Sequence, residues 1–348
     1  MNGQQTDIRK LDEQELIQLF TVKGEKSFRA RQVYSWLWKK SARSFEQMTD
    51  LSKPLRQWLQ EDFAILPVTE HLVQKSTDGT VKTGMKLFDG QLIEGVMIPD
   101  EDRSTACVSS QVGCSLACTF CATGFLKRAR NVDAAEIYDQ VVLLRHHALQ
   151  HHSRGLTNIV FMGMGEPLLN YDQVMRGIQL ITSENGLHMS PKRITISTSG
   201  IARNIVRMAD EGSKVNLALS LHAATNEKRD QIMDINRSNN LETLMDALQY
   251  FYQKTGNKIT FEYVLLHEFN DRPEDAEALS RLCRSLPAFV NLIEFNAVEG
   301  VAFKKTPPAA RQDFVDRLRR MGVEVKVRRS RGKDIDAACG QLANKVKM

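Results

Sequence analysis

From about residue 103 onward, short apolar runs alternate with amphipathic ones, and this alternation constrains the fold more than any other feature of the chain. The strand candidates are STACVSS, TNIVFMG (157–163), RITISTSG (193–200), VNLALSLH (215–222), ITFEYVLL (259–266) and VNLIEFN (290–296). Between them lie runs with helical spacing, such as VDAAEIYDQVVLLRHHAL (132–149), IARNIVRMADEG (201–212) and AEALSRLCRSL (276–286). Strands that are apolar on both faces, each followed by a helix, imply a parallel sheet covered by helices. Six such units predict an α/β fold, a partial or closed (βα)6-type barrel with right-handed crossovers. A doubly wound sheet satisfies the same pattern. In either architecture, chemistry collects at the C-terminal ends of the strands.

The segments before and after this alternation read differently. Residues 1–65 form a helical module in which SFRARQVYSWLWKK places Phe28, Val33, Trp36 and Leu37 at helical spacing. Ser52-Lys53-Pro54 has the form of a helix entry. Residues 66–100 alternate apolar and polar residues around Asp78-Gly79 and Asp89-Gly90, which predicts a three-stranded antiparallel extension. The (βα) core then spans 101–325, and 326–348 is a basic tail.

Net charge is +5, but its distribution is uneven. Lys23, Lys26, Arg29, Arg31, Lys39, Lys40, Arg43, Lys53 and Arg56 face only Glu25, Glu46 and Asp50 within their stretch. The tail is also basic, as is Lys127-Arg128-Ala129-Arg130. Separate basic clusters suit a phosphate backbone, although charge alone is equally satisfied by a solvated surface. No apolar run approaches the roughly 20 residues of a membrane helix, and MNGQQTDIRK is not a signal sequence, so the expected location is cytoplasmic. There, thiols and metal thiolates outrank disulfide frameworks.

Just after the first strand of the core comes CSLACTFCATG, with Cys114, Cys118 and Cys121. Zinc sites favour paired cysteines with a second pair or histidines, and ferredoxin spacings supply four thiolates. Three thiolates on one loop leave an iron of a [4Fe–4S] cluster open to substrate. A three-cysteine zinc knuckle borrowing a distant histidine is the competing structural reading. Phe120 offers an apolar wall, and Gly124 lets the backbone turn close to the cysteines.

The CxxxCxΦC pattern after the first barrel strand resembles that of the radical S-adenosylmethionine (SAM) superfamily, in which SAM chelates the open iron. MGMGEP (162–167), with Gly165 and Glu166, resembles the superfamily's glycine-rich SAM motif. Ser197, Ser220-Leu221-His222 and Asn296 fall at later strand ends and resemble the SAM-contacting positions of one family, the RlmN/Cfr adenine methyltransferases. That resemblance runs nearly the whole length. It includes FRARQVYSWLWKK…SFEQMTDLSK, similar to the family's RNA-binding domain, ACVSSQVGCSLACTFCATG, and RRSRGKDIDAACGQLANK (328–345). Around Asn296 the chain reads IEFNAVEG, without the prolines many members carry there.

The resemblance implies a methyltransferase acting on C2 of an adenine in 23S rRNA, at the peptidyl-transferase centre, and of an anticodon-loop adenine in tRNA. C8 methylation of the same rRNA adenine shares the same cysteines and stays open at this point. Two molecules of SAM per turnover are implied. One methylates Cys339; the other is cleaved to a 5′-deoxyadenosyl radical that activates this methyl group. Cys107 matches the cysteine that releases the product through a transient disulfide, and Glu94 matches the proton acceptor. Each position also has an ordinary reading, Cys107 as core filler, Cys339 as a packed tail residue and Glu94 as a strand-edge carboxylate. The resemblance further implies a monomer that receives electrons from a flavodoxin- or ferredoxin-type donor. Cys283 reads as structural. His146, His147, His151 and His152 read as a solvated helix terminus rather than a ligand set.

Overall fold

A computed structural model describes residues 5–151 and 155–344. The N-terminal module contains β1 (Thr6–Asp7), α1 (Glu13–Val22), α2 (Ser27–Trp38), α3 (Lys53–Asp62) and β2 (Phe63–Ala64). Asp12 starts α1 with a capping box to Glu15, and Ser52 caps α3 with Pro54 in its first turn. The module is thus not purely helical, because β1 and β2 pair in parallel at its base. In α2 the buried stripe is Ala30, Val33, Leu37 and Trp38, whereas Phe28 is exposed beneath the Arg29 guanidinium, 4.7 Å from its ring centroid. The sequence pattern put Phe28 on the apolar face; a neighbouring cation stacks on the ring instead.

The extension comprises β3 (Thr69–Lys75), β4 (Val81–Lys86) and β5 (Leu92–Pro99), antiparallel throughout. Both Asp-Gly pairs sit in the turns, with Gly79 at φ 84° and Gly90 at φ 82°. Next come β6 (Ser104–Cys107), the small ribbon of β7 (Gln111–Val112) with β8 (Arg130–Asn131), and α4 (Ala134–His151). The alternation continues with β9 (Asn158–Phe161), α5 (Tyr171–Thr182), β10 (Ile194–Thr198), α6 (Ala202–Asp210) and β11 (Asn216–Ser220). It ends with α7 (Asn226–Ile232), α8 (Leu241–Thr255), β12 (Ile259–Leu265), α9 (Pro273–Ser285), β13 (Ala288–Glu294), α10 (Pro308–Arg320) and β14 (Val325–Arg328).

One sheet of ten strands runs in the order β14-β13-β12-β11-β10-β9-β6-β5-β4-β3. The six expected strands pair in parallel from β6 to β13, each followed by a helix, and β14 adds a seventh parallel strand. The tail therefore begins inside the sheet, because Val325 is buried and Val290 to Ile293 pair with Val325 to Arg328. The sheet does not close on itself: β14 and β3 are its edges, which makes the barrel partial and leaves its mouth wide.

The module shares one apolar cluster with the barrel, and polar contacts fix its seat on α4. Arg9 bridges Asp7 (2.9 Å) and Asp139 (2.8 Å), all three being buried, and Trp38 packs edge-on against Tyr138 with centroids 5.0 Å apart. Burial opposes the Arg9 charge, but Asp139 and Asp7 outweigh it and hold the guanidinium charged. Among the described residues, no helix is long and apolar enough to cross a membrane.

Candidate active site

The C-terminal ends of the parallel strands surround a cavity of about 970 Å³, its open mouth included. Cys114, Cys118 and Cys121 line it together with Cys339. The cysteine loop is held tightly: Cys114 N–H donates to the Leu126 carbonyl, Cys121 N–H to Cys118, and Thr119 N–H to Ile232 at the end of α7. Ala117 takes a left-handed φ of 47° within the loop. A side chain at Gly124 would place its Cβ 2.8 Å from the Cys118 carbonyl, so the turn around the cysteines requires glycine.

These three thiols fit a multi-iron group better than a single ion. Among the described residues, no three His, Cys, Asp or Glu side chains lie close enough to share one metal ion. The cysteines are instead spread around one cavity. Burial pushes Cys114 up to about 11 and raises Cys118 and Cys121, and the negative charges of neighbouring thiolates add to all three shifts. A bound positive centre would favour the ionised set.

The SAM-type positions converge on the same cavity. Gly165, Glu166, Ser197, Ser220, His222 and Asn296 all line it. Gly165 has φ 95°, and a Cβ there would meet Gln111 at 2.4 Å. Ser197 and Ser220 oxygens lie 3.3 Å apart on adjacent strands. His222, at a left-handed φ of 56°, accepts from Val264 N–H on Nδ1 at 3.1 Å and meets Phe120 edge-on at 4.8 Å. Burial, with the Arg229 charge behind it, pushes His222 down to about 3, so it is neutral. Leu221 differs from its neighbours: it does not line the cavity, its side chain is fully buried in the core, and its N–H donates to the Glu262 carbonyl.

Glu166 is already engaged in the protein. Its carboxylate accepts from Thr198 Oγ1 (2.7 Å), Leu168 N–H (2.9 Å), Ser199 N–H (2.7 Å) and Ser199 Oγ (2.6 Å). Four donors use a carboxylate's ordinary accepting capacity, so the side chain ties the β9 end to the β10 end.

The tail crosses the mouth and brings Cys339 in. The Gly340 carbonyl accepts from Ala122 N–H (2.8 Å), Leu342 from Thr123 Oγ1 (2.6 Å) and Cys339 from Asn296 Nδ2 (3.2 Å). Cys107 lies buried at the end of β6, and its thiol is pushed up to about 12, chiefly by burial and then by the charge of Cys339. The half-buried Arg328 guanidinium at the end of β14 works the other way on Cys107, and is itself held charged foremost by Cys339. Glu94, on β5, does not line the cavity. Its Oε2 accepts from Ala343 N–H (2.9 Å) and Asn344 N–H (3.2 Å), and Oε1 lies 3.7 Å from Lys82 Nζ.

Several participants were not anticipated from the sequence. Arg328, Glu262 and Arg229 reach the site only through tertiary contacts, and none stands in a motif with recognisable spacing. The histidine group also differs from the expectation. His147 is buried, with Nε2 2.6 Å from Glu70 on β3, because the last turn of α4 packs against the extension rather than facing solvent. His152 lies outside the described residues.

The fold and the three-thiol cavity define a radical SAM enzyme, and comparisons with known proteins agree. The Radical SAM superfamily model matches residues 108–281, and the Ribosomal RNA large subunit methyltransferase N-terminal domain matches 6–65. A relative from Cytophaga hutchinsonii, named "Probable dual-specificity RNA methyltransferase RlmN", is 54% identical over 97% of this chain and 93% of its own length. Another from Anaeromyxobacter dehalogenans, named "Dual-specificity RNA methyltransferase RlmN", is 46% identical over 97% and 91%. The crystal structure of a radical SAM methyltransferase from Sphaerobacter thermophilus superposes with a TM-score of 0.91 at 40% identity, covering 97% of this chain and 99% of that one. The chain belongs to the RlmN family of radical SAM methyltransferases. The radical SAM domain implies one [4Fe–4S] cluster and SAM.

Proposed function

We propose that this enzyme methylates C2 of an adenine in 23S rRNA, at the peptidyl-transferase centre, and of an anticodon-loop adenine in tRNA, using Cys339 as the methyl carrier. The tail path supports the carrier role, because it brings Cys339 into the cavity of the three loop cysteines and within electrostatic reach of Cys107, and the likeness to relatives named RlmN supports C2 over C8. C2 of adenine lies between two ring nitrogens and is electron-poor, so it has no lone pair with which to displace a methyl group from SAM. A carrier cysteine and a radical answer that difficulty. When bound, the cluster and SAM supply a methyl group for the carrier and, in a second SAM, a carbon-centred radical that removes hydrogen from it.

The chain's own residues divide the remaining work. Cys114, Cys118 and Cys121 hold the cluster. Ser197, Ser220, His222 and Asn296 orient SAM, and the MGMGEP turn, with Glu166 fixing it from behind, presents backbone carbonyls to the SAM ammonium. The Cys339 thiolate takes the first methyl group by displacement. After hydrogen abstraction its CH₂ carbon would bond to C2, and the radical adduct would return one electron to the oxidised cluster and lose the C2 proton to Glu94. The tail N–H groups on Glu94 must lift for that step. The Cys107 thiolate then attacks the Cys339 sulfur, an S–S bond forms, and the C–S bond breaks. The electron pair of that bond leaves with the base, which takes a proton to complete the methyl group. An external thiol reductant restores both cysteines. A flavodoxin- or ferredoxin-type protein as electron donor, a monomeric state and a cytoplasmic location complete the reading.

The basic faces of α2, α3 and the tail support an RNA substrate over a small molecule. The test is mass spectrometry of rRNA and tRNA after reaction, together with Cys107→Ala and Cys339→Ala. Methyl at C2 is expected, with Cys107→Ala accumulating a covalent protein–RNA adduct and Cys339→Ala forming none. Methyl at C8 would favour the alternative carbon, and absence of an adduct in the Cys107 variant would overturn the cysteine roles.

A further inference from the structure

Arg229, on α7, is wholly buried behind the cavity wall. Its guanidinium donates to the Leu221 carbonyl from Nε (3.2 Å), to Asn236 Oδ1 from Nη1 (2.7 Å), and to the Ser199 (2.5 Å) and Ser220 (3.4 Å) carbonyls from Nη2. Three of these four acceptors are main-chain oxygens just at or beyond the ends of β10 and β11, where Ser220 and His222 face the cavity. The same helix secures the cysteine loop from its other end, because the Ile232 carbonyl accepts from Thr119 N–H at 3.1 Å. Met233, directly after α7, lines the cavity and packs with Ala223 and Ile232 against Cys118 and Phe120. One short helix therefore sets the separation between the cysteine loop and two strand ends.

The charge of Arg229 is more unusual than its hydrogen bonds. Among the described residues, no carboxylate lies within ion-pair distance of it; the nearby Asp230 charge favours its ionisation, and Asn236, whose Nδ2 donates to Asp230 Oδ1 at 2.7 Å, stands between them. A buried guanidinium held only by neutral oxygens is costly unless a negative charge lies close by. The helix that carries this cation abuts the cysteine loop, because Ile232 and Met233 at its end pack against Cys118. Burial lowers Arg229 itself to about 10, so it stays charged at neutral pH.

We propose that Arg229 is a positioning residue that fixes the cysteine loop against the β10 and β11 ends, and that its buried charge is the counter-charge for the thiolate-ligated cluster. The proposal rests on the reading that Cys114, Cys118 and Cys121 hold the cluster. Cluster potentials depend on local net charge and burial, so a cation fixed behind one ligand makes reduction easier. Lysine at this position retains charge without the planar fork, and glutamine removes the charge.

The test compares Arg229→Lys and Arg229→Gln in the full chain, purified without oxygen and reconstituted with iron and sulfide. Iron and sulfide content, the reduction midpoint from an EPR-monitored titration, and SAM affinity are measured for each. The glutamine variant is expected to reduce at a potential at least about 60 mV more negative, equal to a tenfold change for a one-electron couple. The lysine variant is expected to keep the wild-type midpoint but bind SAM about tenfold more weakly, because the strand ends lose their clamp. Cluster assembly by the lysine variant alone would also support the charge role. Equal behaviour of the two variants, whether both load normally or neither does, overturns the proposal, because charge is then not what matters. Failure of the cluster reading itself would show earlier, as a wild-type chain that assembles no four-iron cluster.

Discussion

Two sets of cysteines meet at one site, Cys339 lining the cavity beside the three loop thiols and Cys107 buried at the end of β6, and the chain holds the two sets by different means. Cys114, Cys118 and Cys121 lie on a single loop, gripped by its own turn, by Gly124 and by the end of α7. Cys107 and Cys339 come from opposite ends of the core. Cys107 sits within the paired strand β6, whereas Cys339 rides on a tail outside the sheet, docked by hydrogen bonds to Ala122, Thr123, Asn296, Glu94, Asp78 and Ser76 and by the buried side chains of Ala337 and Leu342. A ligand set for an inorganic cluster needs fixed separations. The proposed carrier must accept a group, deliver it and be released, so its segment has to undock during turnover.

The largest test of this contrast is Cys118→Ala. Loss of one fixed ligand is expected to reduce iron content to well below that of the wild-type chain and to abolish methylation, as read by iron analysis and transfer of labelled methyl. Retention of a full cluster and activity would break the distinction between ligand and carrier cysteines. A smaller effect concerns pH. Because burial holds Cys107 up to about 12, its reactive thiolate is scarce at neutral pH and increases with pH. Decay of the protein–RNA adduct is therefore expected to accelerate by about tenfold per unit between pH 7 and 9, measured after rapid mixing and denaturing gel separation. A pH-independent decay would mean that Cys107 does not limit release. The smallest effect is expected for Thr123→Val, which removes the hydroxyl bound to the Leu342 carbonyl. Loss of about 1 kcal/mol of tail docking should raise hydrogen exchange over residues 338–344 roughly fivefold, while the cysteine loop is unchanged. Equal loosening of both segments would show that they are one unit.

The same contrast governs how much of the molecule was legible in the sequence. Local patterns specify local structure, so the six strand–helix units, both Asp-Gly turns and the cysteine loop could be located from spacing. The edge of the sheet was less clear. VEVKVRR is short and charged, and β14 is defined by pairing with β13, so the tail's first residues were not recognisable as a strand. Phe28 illustrates the same limit, since a helical stripe identifies a face but not the cation that stacks on it. Glu166 stood in a readable motif, yet the four donors that occupy its carboxylate come from Leu168, Thr198 and Ser199.

By itself, the sequence determined the kind of sheet, the place of the cysteine loop at a strand end and the identity of its three thiols, because periodicity and ligand spacing are short-range properties. Only the tertiary structure decided that Cys339 reaches the cavity, that the tail covers Glu94, and that a buried Arg229 and a half-buried Arg328 lie near the thiols. Those placements depend on contacts between residues far apart in the chain. Their energies come from burial and mutual charge, which no local pattern records.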